Sequence, residues 1–201
     1  MVYRLAGQYR DFFLDKHILS DRDCTRMNDA VLITSMIILL LKGIVDETPN
    51  SVDKIYNEFN DEFVERDSIE AKFVSIMEII ERVYEYFIGN LSCLSNKNYF
   101  FTFYAVIVNQ MFGIENNHIL NSERNPDFSE SLITNNIDTL YQMCGNFLNE
   151  YTENVVDSSS KQSTKSEWAT FVENNSKRTT SKNARLSRIS FMNGYFCRQS
   201  K

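Results

Sequence analysis

The sequence predicts an all-α protein, an irregular multi-helix bundle of about seven or eight helices. Only 6 glycines and 2 prolines interrupt the 201 residues, and apolar residues recur at the three- and four-residue spacing of a helix face. Hydrophobic residues make up 43% of the chain and charged residues 24%, proportions typical of a globular protein rather than a disordered one. We therefore expect long helices joined by few connections.

Five helices are predicted in the first 112 residues, at 3–14, 21–42, 51–63, 68–88 and 98–112. Ser20 and Asp21 are suitable N-cap residues for the second helix, and Gly43 follows its end. This helix is apolar nearly all round after Asp29, so we expect it at the centre of the core. The fifth is also strongly apolar, although its aromatic and β-branched residues would suit a strand as well.

The second half divides at a Ser-rich segment. A polar loop is predicted at 115–127 and a long helix at 129–155, followed by a short helix at 167–174 and a last helix at 181–197. We predict a bundle core over 1–156, a Ser-rich linker over 157–165, and basic C-terminal helices over 166–201. Trp168 and Phe171 would be poorly placed in a free tail, so these helices are expected to dock on the bundle.

The net charge of −6 conceals an asymmetry along the chain. Residues 158–201 carry nine Lys or Arg against two Glu, whereas residues 1–157 carry twelve basic against twenty-five acidic residues. The basic segment consists of Lys177, Arg178, Lys182, Arg185 and Arg188. Two interpretations stay open: a solvated helix with a basic face, or contact with nucleic acid through these five residues.

The apolar segments and the cysteines indicate where the protein is expected to reside. The longest apolar run, 30–41, is shorter than the roughly 20 residues that a bilayer-spanning helix needs, and no apolar leader with a cleavage site opens the chain. The four cysteines lie far apart without a Cys-x-x-Cys pair. We expect a soluble, cytoplasmic protein with reduced thiols and no membrane partner.

No pattern for catalysis or metal binding is strong. Arg26 and Asp29 are three residues apart, so we expect a structural ion pair that marks the start of the core helix. His118 stands in a polar loop beside Glu115, which is too few ligands for a metal site. Zinc spacing, a phosphate-binding Gly-rich loop and a Gly-x-Ser-x-Gly elbow are all missing from the sequence. We expect no metal and no cofactor.

Arg10 and His17 give an alternative. Their Arg-x6-His spacing resembles the Arg-x4-6-His motif of the HEPN ribonucleases, which are all-α proteins. The resemblance implies a metal-independent ribonuclease that uses these two residues. The competing interpretation is a surface histidine near a helix end.

Two blocks near the N-terminus carry a second resemblance: Tyr9-Arg10-Asp11-Phe12-Phe13-Leu14 and Arg26-Met27-x-Asp29-Ala30-x-Leu32. Two further blocks carry the same resemblance. One is Lys97-Asn98-Tyr99-Phe100-Phe101, and the other is Phe171 together with Thr179-Thr180-Ser181-x-x-x-Arg185-x-x-Arg188-x-x-Phe191. Together these blocks resemble the helical half of domain-of-unknown-function family 262, the GmrSD-like restriction and phage-defence proteins. Arg-Met-x-Asp is the most distinctive of the motifs.

This second resemblance implies a non-catalytic role for the chain alone. In the family, activity belongs to an N-terminal ParB-like domain with an Asp-Gly-Gln-Gln-Arg type motif, which this sequence lacks. We expect a partial member, acting through protein–protein contacts and through DNA contact at Arg185 and Arg188. The expected partners are a protein, such as the missing catalytic half, DNA, or a second copy of the chain. A purely structural interaction domain is the remaining alternative.

Overall fold

The computed structural model describes residues 1–59, 63–87, 93–134, 136–156, 166–176 and 179–199. Every regular element in these ranges is a helix, which confirms the all-α class. The described ranges contain eleven α-helices, more than the predicted seven or eight. They are α1 (Val2–Asp15), α2 (Asp21–Thr25), α3 (Asn28–Lys42), α4 (Pro49–Glu58), α5 (Arg66–Tyr86), α6 (Lys97–Phe112), α7 (His118–Ser122), α8 (Pro126–Ile133), α9 (Asp138–Tyr151), α10 (Ser166–Ser176) and α11 (Lys182–Gln199).

Helices α3 and α6 form the centre of the molecule. Every residue of α6 from Tyr99 to Gln110 is buried, and α3 is buried on most of its surface. α1 and α5 pack on α3, while α5, α8 and α11 pack on α6. A helix that is apolar nearly all round must be covered on all sides, which is why these two sequences occupy the middle of the bundle.

The predicted helix at 21–42 is two helices, because the chain turns between α2 and α3. Met27 has a φ of 59°, in the left-handed region, and a right-handed helix cannot continue through such a residue. The predicted N-cap role of Ser20 is confirmed: its hydroxyl accepts the backbone N–H of Asp23 at 3.2 Å. The Asp23 carboxylate in turn accepts the backbone N–H of Ser20 at 3.0 Å.

Gly43 ends α3 at a point where no side chain would fit. Its φ is +74°, and a Cβ there would lie 2.1 Å from the carbonyl oxygen of Glu115. The segment after α3 can therefore pass directly against the chain that leads into α7.

The segment from 115 to 155 differs from the prediction in two places. The predicted polar loop contains α7, and the predicted helix at 129–155 is α8 followed by α9, which ends in a π-helical turn at Thr152–Val156. Two asparagines set the new boundaries. Asn117 accepts the N–H of Leu120 at 3.1 Å to open α7, and Asn125 accepts the N–H of Phe128 at 3.1 Å to open α8.

A buried polar network holds α11 and the start of α8 against α6. The Gln110 side chain donates to Asn193 at 2.7 Å and accepts the backbone N–H of Asn125 at 3.0 Å. The Arg124 guanidinium donates to the Gln110 carbonyl at 2.9 Å. Because buried polar groups are costly without partners, this network specifies how the three segments fit together.

The C-terminal helices are packed on the bundle through aromatic side chains. Phe147 of α9 lies 5.3 Å from Trp168 and 5.9 Å from Phe171, measured between ring centroids. Phe171 also stacks on Tyr99 of α6 at 4.9 Å. Trp168 and Phe171 are both buried.

The proposed division into a core, a linker and docked helices stays a prediction, because the linker at 157–165 lies outside the described residues. Within the described ranges, no helix combines the length and the apolar character needed to cross a bilayer.

Candidate binding cleft

A cleft of about 480 Å³ opens between the start of α1, α3, α4, the start of α6 and the start of α11. We call it the α3–α11 cleft. It lies within the size range of ligand pockets, which are about 300–1,000 Å³.

Three of the sequence blocks quoted above contribute residues to this cleft. Met27 and Ala30 come from the α2–α3 junction, Lys97 and Phe101 from α6, and the third group, Thr180, Arg185 and Arg188, from α11 and the turn before it. These are the same blocks that carry the resemblance to the restriction and phage-defence family. Their spacing in sequence gave no sign that they share one surface.

A buried ion pair forms part of the cleft wall. Arg185 of α11 binds both carboxylate oxygens of Glu47, with Nη2 2.9 Å from Oε2, and the two side chains are 7% and 8% exposed. The Ser35 hydroxyl donates to the same carboxylate. The Arg185 guanidinium also lies 4.4 Å from the centroid of the Phe101 ring. Arg185 is therefore held by internal partners.

Arg188 is buried without an acidic partner. It is 1% exposed, and its Nε donates to the Thr102 hydroxyl at 3.2 Å. Its two terminal nitrogens donate to the carbonyls of Asn174 and Thr179, the latter at 2.9 Å. Among the described residues, no carboxylate forms a salt bridge with it. Burial, followed by the neighbouring Arg185 charge, lowers the pKa of Arg188 to about 10, so the group stays protonated at neutral pH.

At Arg185 and Arg188 the basic segment does not form the solvated helix face that was one of its two interpretations. Arg185 and Arg188 are buried, whereas Lys182 is exposed and its backbone N–H donates to Asp46 at 2.6 Å. Lys177 and Arg178 lie outside the described residues. The periodicity gave the spacing along α11 but could not show that this face turns inward onto α3 and α6.

The predicted ion pair between Arg26 and Asp29 is wrong. Arg26 follows the end of α2 and Asp29 lies in α3, with the left-handed Met27 between them, so the three-residue spacing does not place them on one helix face. Arg26 is exposed, and no salt bridge joins the two within the described chain. Asp29 is buried in the first turn of α3, where its carboxylate accepts the N–H of Ala30 at 2.8 Å.

Arg10 and His17 lie outside the cleft. Arg10 is exposed on α1, and His17 is exposed beyond the end of that helix with a φ of 55°. The two are therefore not on one helix as the HEPN motif requires. His118 is exposed at the first position of α7.

Large apolar side chains surround the mouth of the cleft. Tyr3 is 73% exposed, Val31 53%, Met27 51% and Tyr56 49%. Single exposed apolar residues are ordinary on protein surfaces, but four around one opening form a patch of the kind that marks interaction sites. We call these four residues the apolar rim.

A second groove of about 310 Å³ continues from the cleft beneath α4. The two spaces share Val2, Tyr3, Thr34 and Tyr56, and the Thr34 hydroxyl is 2.8 Å from the Tyr56 hydroxyl. None of the residues of α4 is buried. Its N-terminus is capped by the side chains of Thr48 and Ser51. The floor of the groove is apolar, so the cleft and groove form one surface with a charged end and an apolar end.

Among the described residues that line the cleft, no nucleophile is paired with a base. Ser35 bonds to a carboxylate that Arg185 already holds, and such a carboxylate is a poor proton acceptor. All four cysteines are free thiols outside the cleft, and burial raises the pKa of each, which disfavours the reactive thiolate. Among the described residues, no group of three or more His, Cys, Asp or Glu side chains is placed to hold a metal ion.

No protein-family model, no curated protein and no solved structure matches the chain. Membership of the family that the sequence resembles therefore stays a hypothesis.

Sequence reasoning missed Glu47, Ser35 and Tyr56. Glu47 lies in the irregular segment before α4, Ser35 interrupts an apolar run, and Tyr56 belongs to an amphipathic helix. Each looks ordinary in the sequence, and only the approach of α11 to α3 gives the first two a common role.

Proposed function

We propose that this chain is a non-catalytic helical domain of a restriction- or phage-defence-like protein, and that it binds another protein at the α3–α11 cleft. The observation that carries the proposal is the apolar rim, four large apolar side chains exposed around one cleft. Protein interfaces enclose such apolar centres within a polar border. The described residues that line the cleft offer no acid–base pair, so binding is favoured over chemistry.

Protein contact is favoured over nucleic-acid contact by the state of the basic residues. Nucleic-acid affinity depends on cations that can reach phosphates. Arg185 is held by Glu47 and Arg188 by hydroxyl and carbonyl oxygens, so neither is presented on the surface. The net charge of −6 further opposes a polyanion.

The partner that we propose is the catalytic half that the family resemblance implies. Residues from three of the blocks carrying that resemblance line the cleft, so a surface shared by the family would lie here. A second copy of the chain is the alternative occupant.

Affinity purification with paired variants tests the proposal. Tagged wild-type chain is compared with Val31→Glu in the rim and with Val64→Glu, a valine that is exposed outside the cleft. A captured partner is identified by its sequence and then purified. We expect the purified partner to bind wild type and Val64→Glu but not Val31→Glu. A partner that binds all three forms equally would contradict the proposal.

Labelled duplex DNA, single-stranded DNA and RNA are tested with the purified chain across a salt series, and cleavage is followed in the same samples. We expect neither cleavage nor salt-sensitive binding. RNA cleavage that disappears in His17→Ala would instead favour the ribonuclease alternative.

A further inference from the structure

We propose that the α3–α11 cleft recognises an acidic protein segment, in which an aspartate or glutamate carboxylate approaches Lys97 and neighbouring apolar side chains cover the rim. The inference rests on the proposed protein-binding function and specifies the chemistry of the partner.

The charges that line the cleft are unequal. Three cations, Lys97, Arg185 and Arg188, face two carboxylates, Glu47 and Asp53. Arg185 and Glu47 neutralise each other directly, and Asp53 is exposed on α4. Lys97 and Arg188 are left without a salt bridge to any described residue.

Burial makes this imbalance costly in the free protein. A buried cation with only hydroxyl and carbonyl partners is less well stabilised than one beside a carboxylate. Arg188 is 1% exposed and has only such partners. An anion entering the cleft would lower that cost through space while bonding directly to the more accessible Lys97.

Lys97 is the residue able to make the direct contact. It is half-buried at the first position of α6, and it acts on Asp23 only through space, since no salt bridge joins them. The protein as a whole is acidic, so this local excess of positive charge stands out as an anion-attracting feature.

The rest of the cleft favours a protein carboxylate over a nucleic-acid phosphate. Successive phosphates need a row of accessible cations, whereas here a single half-buried lysine stands beside Met27, Val31 and the apolar groove under α4. One acidic side chain flanked by apolar side chains matches this arrangement of one charge and an extended apolar surface.

Selection from a random peptide library displayed on phage, with the purified full chain as target, tests the inference. We expect the enriched peptides to share an Asp or Glu flanked by Leu, Ile or aromatic residues. For synthetic copies measured by calorimetry, changing that acid to its amide, or changing Lys97→Gln, should weaken binding about tenfold, the loss of one charge-assisted hydrogen bond. Lys54→Gln, an exposed lysine of α4 outside the cleft, should leave binding unchanged.

The acid-to-amide change in the peptide needs no protein variant, so a folding defect in Lys97→Gln cannot obscure the result. Peptides whose binding depends on Val31 but not on Lys97 or on an acid would overturn this inference and leave the proposed protein-binding function intact. If no peptide depends on either residue, both fail. Duplex DNA that competes for the cleft and loses binding in Lys97→Gln would also overturn it.

Discussion

At the scale of single residues, the contact between Glu47 and Arg185 has the largest consequence. The two residues are 138 positions apart, yet their side chains bond directly in a site from which water is largely excluded. The adjacent Asp46 accepts the backbone N–H of Lys182 at 2.6 Å. The segment before α4 is thereby fixed to the first turn of α11, which defines one side of the cleft.

Glu47→Gln should lower the free energy of unfolding by about 3–5 kcal/mol, because it leaves the Arg185 charge buried without its counter-ion. Urea unfolding measured at neutral pH checks this. The matched control is Glu58→Gln, which breaks the exposed pair with Lys42 and should cost about 0–1 kcal/mol. Equal effects of the two changes would show that the buried pair is not a special contributor to stability.

Asp23 should make stability depend on acid pH. Hydrogen bonds from Ser20, then one from Asn28, lower the pKa of Asp23 from 3.8 to about 2. Because the folded-state pKa lies below the unfolded one, the carboxylate stabilises the fold fully above about pH 4, and this contribution is lost as pH falls from about 4 to about 2. The stability difference between wild type and Asp23→Ala should therefore be about 0.5–1 kcal/mol at pH 6 and narrow on acidification.

Urea midpoints of both proteins, measured from about pH 6 down to about pH 3, test this dependence. Asp11→Ala, an exposed aspartate on α1, controls for the general loss of one negative charge. A difference that stays constant over this range would exclude the capping carboxylate as its source.

At the scale of helices, the division between α2 and α3 shows how one residue can override a continuous pattern. The sequence from 21 to 42 has good capping at its start and a suitable end at Gly43. Met27 nevertheless adopts a left-handed conformation, which costs a residue with a Cβ about 1–2 kcal/mol. The turn places Met27 at the mouth of the cleft, half-exposed beside Val31.

Met27→Gly should stabilise the protein by about 0.5–1 kcal/mol, since glycine adopts this φ without steric cost while its extra unfolded-state entropy offsets part of the gain. Thermal and urea unfolding measure the change. Met27→Ala retains the Cβ and so controls for loss of the side chain; it should give no gain. A glycine variant less stable than wild type would mean that the Met27 side chain contributes more to folding stability than its 51% exposure suggests.

At the scale of the whole molecule, the C-terminal helices complete the core rather than add to its surface. Ile189, Met192 and Phe196 of α11 are buried, and Phe196 lies 6.3 Å from Phe103 of α6 between ring centroids. Without α11, the all-round apolar helix α6 would have one face open to water. Helix α11 is therefore needed to cover α6, whatever else α11 binds.

A chain that ends at residue 156 should fail to fold cooperatively, because removing α10 and α11 uncovers Phe103 and Phe147. We expect it to bind a hydrophobic dye and to lack a sharp urea transition, as partly packed helical proteins do. A chain that ends at 199 is the control and should behave as wild type. A cooperative transition for 1–156 would instead favour an autonomous bundle core.

The fold could be predicted from sequence where a single local pattern dominated. α1, α5 and α6 lie within two residues of their predicted bounds, because each is a long segment whose apolar residues recur at the three- and four-residue spacing of a helix. The prediction failed at α7 and α8, where Asn117 and Asn125 cap short helices in a stretch that reads as a polar loop. Short helices gain most of their stability from tertiary packing, so their own sequences give only a weak signal of helix formation.

The sequence by itself determined the all-α class, the central position of the most apolar helices and the capping of α2 at Ser20. These features depend on residues within a few positions of one another, so the local periodicity and the capping residues are enough to predict them. Only the tertiary structure decided that Arg185 and Arg188 face inward, that Arg26 and Asp29 lie apart, and that Met27, Lys97 and Arg188 share one cleft. The physical reason is that burial and charge pairing depend on which distant helices meet, and no spacing along the chain contains that information.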